Sequence, residues 1–421
     1  MPVVGAVDFE KPNRHSKRVA LLHPDRPRKN RFETTLITGQ NGAQKSTLLK
    51  QLVTSLVSPR QQDLFNDRGK TVLNPDRHQV FCLSGSAADR FPPKELPQGR
   101  RSTFDVPYYT YVGQRVGNNL LSRKAPLETM LTSALHPRAA ERCGWDFFTD
   151  AHRHAGIFPS ARYTLILRTT SQNDIRPALF NLRNSLIAIA PEADDAKYRR
   201  RPFPADVSYA TAQSLLNEYT AAEFDSLAQL LLKRSRFEVV LSNNGAICDD
   251  ASPSVLRLGL LLELLRLRDV QVRSKQYETD FSAFELSSGE YHMFSTVLAI
   301  GFGLDEQSVL LMDEPENSLH PQWQRDLMNT VFGACAQIMR GGHVIVSTHS
   351  PLIVGSASEG STVVDMSLDE PQLSIVSYGA SADELLLSQF GTASSRNKVV
   401  VDKVQLAVSL VERGDFENPQ F

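Results

Sequence analysis

The feature that most restricts the fold is the run TTLITGQNGAQKSTLLKQLV, residues 34–53. TTLITG (34–39) has the short apolar character of a buried strand and leads straight into a glycine turn. STLLKQLVTSLV (46–57) then places apolar residues at 48, 49, 52, 53, 56 and 57, the spacing of one helix face. Strand, glycine turn and helix together are the framework of a phosphate-binding loop, whose usual pattern is G-x-x-x-x-G-K-[ST]. Here the turn reads Gly39, Gln40, Asn41, Gly42, Ala43, Gln44, Lys45, Ser46, Thr47, and Gln44 stands where the pattern has its second glycine. Backbone N–H groups around Gly39 and Gly42 can cradle phosphate oxygens. Lys45 can reach the β- and γ-phosphates, and the Ser46 hydroxyl can bind magnesium. Gln44 still carries its N–H, so the cradle survives if the backbone there suits a residue with a Cβ.

A second signal lies far downstream. SVLLMDEPE (308–316) is a continuous apolar strand ending in Asp313 and Glu314. A carboxylate at the C-terminal end of a parallel strand sits where magnesium is held beside phosphates, which suits Asp313. Glu314, next to it, is placed to orient or deprotonate an attacking water. Between loop and strand comes LSSGE (286–290), and after the strand come ENSLHP (316–321) and STHSP (347–351). YVGQ (111–114) follows the first helix and ends a strand.

In this order the motifs resemble those of ABC-type ATPases. LSSGE is similar to their signature, STHSP to the segment of their switch histidine (His349), ENSLHP to the D-loop, and YVGQ to the glutamine loop with Gln114. The resemblance covers about residues 15–120 and 276–370. DEPENSLHP together with SSGE is similar to the SMC/RecF/OLD-like branch, which holds stand-alone ATPases, many of them in bacterial anti-phage defence operons. It implies an α/β P-loop fold with a mixed sheet, and a homodimer or larger oligomer sandwiching ATP and Mg2+. Ser287, Ser288 and Gly289 of one copy would then meet the γ-phosphate held by Lys45 of the other. Lys45, Glu314 and His349 would serve the chemistry, with Ser46 and Asp313 on the metal. Ser288 replaces a glycine of the usual signature. Slow hydrolysis is the expectation, with Gln44 in the loop.

The expected organisation has an N-terminal part of the ATPase domain at 1–120 and a large, mainly helical insertion at 121–275. The C-terminal part of the ATPase domain follows at 276–395, then a tail at 396–421 with a closing helix over 395–414. Within the insertion, helical patterns occur at 127–142, 176–190, 208–235 and 253–268, with extended pieces at 163–168 and 237–242. No helix sustains the heptads of SMC arms, and too little chain follows His349 for a complete OLD-type nuclease domain. The absence of an effector in this chain points to a separate partner protein, a nuclease or toxin, gated by ATP. The alternative is an ATP-dependent DNA clamp for repair or recombination. With 46 basic and 47 acidic residues there is no global charge for nucleic acid, so that reading leans on two local runs: Lys11 to Arg31 and Lys197-Tyr-Arg-Arg-Arg201.

The four cysteines are far apart, without a C-x-x-C pair, as in a reduced cytoplasmic protein. The N-terminus lacks a signal-peptide apolar run. The most apolar stretch, Val255 to Leu267, carries Arg257, Glu263 and Arg266, so no membrane span is expected.

Overall fold

The computed structural model describes residues 3–376 except 11–15, 28–30, 58–63, 67–77, 87, 97–99, 117–120, 140–145, 169–178, 190–206, 250 and 368–369. The closing helix expected over 395–414 and the basic knot at 197–201 lie outside the described residues.

The centre is a seven-stranded mixed sheet. In chain order its strands are β1 (Glu33–Thr38), β2 (Val80–Ser84), β3 (Tyr109–Val112), β4 (Val309–Asp313), β5 (His343–Ser347), β6 (Thr362–Asp365) and β7 (Gln372–Ile375). Across the sheet the order is β7-β6-β1-β5-β4-β2-β3. All neighbours are parallel except β6 and β7, which pair antiparallel at one edge. The fold is therefore α/β with a mixed sheet, as expected from the strand, glycine turn and helix.

Why these segments form inner strands follows from the period of two. Leu36, Leu310 and Val344 face one core, while Ile37, Leu311 and Ile345 face the other. Both faces are covered, which explains the continuous apolar runs. The helix Lys45–Val57 closes one face with Leu48, Leu49, Leu52 and Val53. The helix Ser288–Gly303 closes the other, with Phe294, Val297, Leu298 and Ile300 buried. Register fixes what comes together at the C-terminal edge: Asp313 lies opposite Ser347 and Ser84, and Ser347 lies opposite Ile37, two residues before Gly39.

Among the described residues of the middle of the chain helices outnumber strands, but that segment is organised on a sheet, which the helical patterns did not suggest. Ile157–Leu167 forms the centre of a five-stranded antiparallel sheet, flanked by Arg236–Ser242 and Leu265–Ser274. The helical pattern at 253–268 needs correction. The helix is Pro253–Leu261, Glu263 turns the backbone to φ 55°, and Leu265–Ser274 is a strand with Leu265, Leu267, Val270 and Val272 buried. The left-handed residue stops the helix, and alternation then continues on a sheet. The pattern at 208–235 is two helices, Tyr209–Glu218 and Ala221–Lys233, divided where Thr220 caps the second through a capping box with Glu223. The pattern at 127–142 is a helix at Ala125–Ala134 followed by a short 3-10 turn. Helices Ala125–Ala134 and Asp146–His154 pack against Ser288–Gly303, so the middle segment shares a core with the central sheet.

Candidate functional site

The turn after β1 winds through left-handed conformations at Gly39 (φ 140°), Gly42 (φ 87°) and Gln44 (φ 69°). Such a sequence turns successive N–H groups inward and makes an anion-binding concavity at a helix N-terminus. Gly42 has open space where a Cβ would stand. Gln44 holds a conformation that a glycine adopts without strain, and its Oε1 is buried with no hydrogen-bond partner among the described residues. Its carbonyl accepts from Leu48 N, so the helix begins there all the same. Gln40 and Asn41 are exposed at the rim, Ala43 N donates to the Gln40 carbonyl, and Thr47 Oγ1 accepts from Arg90.

Lys45 is 5% exposed and its ammonium donates back to the carbonyls of Gly39 (3.1 Å) and Gln40 (3.4 Å). It also lies 2.8 Å from His349 Nε2. Burial pulls the Lys45 ammonium below its ordinary range, and the carboxylates of Glu314, Glu316 and Asp313 oppose that. Ser46 Oγ donates to Asp313 Oδ1 at 3.2 Å, and Ser347 Oγ donates to the same oxygen. Asp313 is 2% exposed, and burial raises its carboxyl above the usual range.

Glu314 leaves β4 at φ 48°, a conformation that costs a residue with a Cβ of order 1–3 kcal/mol and that clusters at functional sites. Two features hold it there. Its N–H donates to the Ser347 carbonyl at 3.0 Å, and Gly85 sits beneath it, where a Cβ would lie 2.2 Å from the Glu314 carbonyl oxygen. Its carboxylate receives Asn317 Nδ2 on Oε2 (2.9 Å) and lies 3.3 Å from His349 Nε2 through Oε1. The His349 bond is the main cause of its lowered pKa. A single His349 Nε2 can accept from Lys45 when unprotonated or donate to Glu314 when protonated, so the two contacts are alternatives.

Five of the expected residues thus meet at one edge: Lys45, Ser46, Asp313, Glu314 and His349. The expected signature stands apart from them. Ser287 caps the helix Ser288–Gly303 through a capping box with Glu290, while Ser287 and Ser288 are exposed. Gly289 is buried against Ser318 and Trp323, where a Cβ would lie 2.9 Å from the Ser318 carbonyl oxygen. Gln114 is exposed just beyond edge strand β3, and its carbonyl accepts from Ser122 N. Among the described residues no hydrogen bond joins Gln114, Ser287 or Ser288 to the Lys45 cluster. Sequence reasoning missed Gly85, Asn317 and Ser347 as supports. Asn317 and Ser347 lie inside the quoted motifs, whereas Gly85 carries no local signal. Among the described residues no group of three or more His, Cys, Asp or Glu side chains could hold a metal ion alone. The pair Ser46 and Asp313 fits magnesium of the kind that takes its other ligands from phosphates and water.

Residues 145–355 match the sequence family described as "AAA domain, putative AbiEii toxin, Type IV TA system". The chain belongs to this family. The AbiEii-type AAA match includes the signature, Asp313, Glu314 and His349, and begins after the phosphate loop. None of the curated proteins matches the chain. Solved structures similar to it include an SMC head domain with an extended coiled coil, bound to the C-terminal domain of ScpA, from Pyrococcus furiosus. The identity is 11%, over 90% of this chain and 97% of that one, with a TM-score of 0.35. An ATP-binding cassette of an ABC transporter in its ADP conformation is 10% identical over 95% and 98% of the two chains, TM-score 0.31. An SMC head domain from Thermotoga maritima is 16% identical over 26% of this chain, which spans 39% of that one, TM-score 0.21. By family the chain is an AAA protein, and the sheet and loop geometry above are those of a phosphate-binding α/β fold. Among the described residues no helix is long and apolar enough to cross a membrane.

Proposed function

We propose that this AbiEii-type AAA protein binds ATP at Gly39–Thr47 and hydrolyses it slowly in the cytoplasm. One observation carries the reading: Lys45, Ser46, Asp313, Glu314 and His349 converge at the C-terminal edge of the adjacent strands β1, β5 and β4. Backbone N–H groups of the left-handed turn bind the phosphates, and Lys45 moves its donors from the loop carbonyls to the β- and γ-phosphate oxygens. Ser46 and Asp313 would hold magnesium, which when bound would neutralise the developing phosphate charge. Glu314, fixed by Asn317 and Gly85, orients the attacking water and takes its proton. His349 exchanges its Lys45 contact for the γ-phosphate and so reports whether it is present.

The signature, apart from its own Lys45 cluster, is free to serve a second copy. Ser287, Ser288 and Gly289 would then approach the partner's nucleotide, with Gln114 at the rim of the site, giving a homodimer or a larger assembly closed by ATP. Closure and release form a two-state element that can gate a separate effector, a nuclease or toxin, in an anti-phage defence system. The family description names a "putative AbiEii toxin" of a toxin–antitoxin system, a setting in which ATP-gated toxicity would belong. The DNA-clamp alternative draws less support. Of the basic run 11–31, Lys17, Arg18 and Arg26 pair with Glu370, Asp8 and Glu33.

The test is ATP turnover and binding by the wild type and by Lys45→Ala, with affinity purification of the tagged chain beside the products of adjacent genes. Turnover that depends on Lys45, and a co-purifying partner, are expected. Binding that ignores Lys45 would overturn the nucleotide reading. ATP-stimulated, salt-sensitive binding to long DNA without a protein partner would favour the clamp.

A further inference from the structure

Glu316 lies two residues beyond Glu314 and points back across the site. Its Oε1 accepts from the backbone N–H of His349 at 2.6 Å and from Thr348 Oγ1 at 2.8 Å. Thr348 Oγ1 in turn accepts from Ser350 N at 2.9 Å, and Thr348 N donates to the Ile37 carbonyl at 3.0 Å. One carboxylate oxygen therefore gathers the whole turn that presents His349 and ties it to the loop carrying Glu314. The other oxygen, Oε2, is buried with no hydrogen-bond partner among the described residues. Burial pushes this carboxyl above its ordinary range, and the bonds from His349 N and Thr348 oppose that only in part. A neutral brace would hold the turn at lower cost. What Oε1 supplies is one acceptor that takes two bonds at once, which fixes the His349 backbone in both position and direction.

We propose that Glu316 is a positioning residue for nucleotide hydrolysis, setting His349 between Lys45 and Glu314 without touching the nucleotide. The proposal rests on the ATPase reading above. His349 Nε2 stands 2.8 Å from Lys45 and 3.3 Å from Glu314, and this placement depends on where its backbone is pinned. Freed from Glu316, the turn keeps its link to β1 through Thr348 N, but the imidazole loses its aim.

The test compares steady-state ATP turnover and fluorescent ATP-analogue binding in the full-length wild type, Glu316→Ala, Glu316→Gln, His349→Ala and the double variant Glu316→Ala/His349→Ala. Misplacement of a catalytic group by about 1 Å costs about 100-fold, so Glu316→Ala is expected to lose kcat on that scale. Analogue affinity and KM should stay within about threefold, the pattern of an interaction made only in the transition state. Glu316→Gln retains an oxygen that can accept both bonds and should recover most of the turnover. The double variant should be no slower than His349→Ala, because Glu316 acts through that residue. Wild-type turnover in Glu316→Ala, no rescue by Gln, or multiplicative losses in the double variant would each overturn the proposal. Should Glu316→Ala not fold, Thr348→Ala removes only the hydroxyl bond and is expected to lower kcat about tenfold; unchanged turnover there overturns it too. A wild type without turnover, whose nucleotide binding ignores Lys45, would instead defeat the ATPase reading and this proposal with it.

Discussion

Replacing Gln44 by glycine should improve the phosphate loop. The residue sits at φ 69°, where a Cβ crowds the following carbonyl. That conformation costs an L-residue about 1–2 kcal/mol. Its Oε1 is buried without a partner among the described residues, which adds about 1–3 kcal/mol of desolvation. Against both, glycine gives the unfolded chain more freedom, about 0.4–1 kcal/mol. The balance is a gain of roughly 3 kcal/mol, or a Tm higher by about 3–6 °C, given the shallow dependence of Tm on stability in large chains. Gln44→Ala separates the two contributions, since it removes the amide but keeps the Cβ. The expected order of stability is Gly, then Ala, then the wild type. Thermal unfolding without nucleotide gives the order, and equilibrium binding of a fluorescent ATP analogue gives the function. The N–H of residue 44 remains in every variant, so affinity should hold or tighten. A Gln44→Gly protein that melts lower than the wild type, or that loses ATP binding, would refute the reasoning. It would show that the Gln44 amide reaches the nucleotide.

Gly85→Ala tests the support under Glu314: its Cβ would meet the Glu314 carbonyl oxygen at 2.2 Å, and a backbone must move. We expect about 1–3 kcal/mol of destabilisation and a loss of turnover approaching 100-fold, with nucleotide binding retained; unchanged turnover would mean that the Glu314 backbone does not set the rate. Acid should weaken the fold through two buried imidazoles. Burial pulls His343 down to about 3 and His152 to about 4. In each case the unfolded chain takes up the proton first, so stability is complete above pH 6.5 and falls as the pH drops toward the folded values. The slope is about 1.4 kcal/mol per pH unit and group. His343→Asn, whose Oδ1 can still accept from Val4 N, should flatten part of that slope in thermal melts between pH 7 and about 4; an unchanged profile would remove His343 as a cause.

What the sequence made legible was local. The phosphate loop, the strand ending in Asp313 and Glu314, and the turn bearing His349 each declare themselves within about ten residues, because a buried parallel strand is an unbroken apolar run. Their meeting follows from strand order, which places β5 between β1 and β4. The middle of the chain was harder to read. Val255 to Leu267 reads as one apolar helix, yet a left-handed Glu263 divides it into a helix and a strand, and no glycine or proline marks the break. Of the short antiparallel pair Ala6–Phe9 and Lys17–Ala20, only the second strand lies in the basic run, and neither has the length of apolar alternation that declares a strand. Supports such as Gly85 beneath Glu314 and Glu316 beneath His349 depend on contacts across strands, and spacing along the chain does not encode them.

We propose that ATP, held by Lys45 and hydrolysed with the help of Glu314, closes one copy of this chain on another. The most direct measurement is the mass in solution of Glu314→Gln with ATP and magnesium, by size exclusion with light scattering, beside Lys45→Ala. The account predicts an ATP-bound dimer or larger ring for Glu314→Gln, stable through the column, and no ATP-dependent change for Lys45→Ala. Assembly that is the same with and without ATP, or that persists in Lys45→Ala, would contradict it.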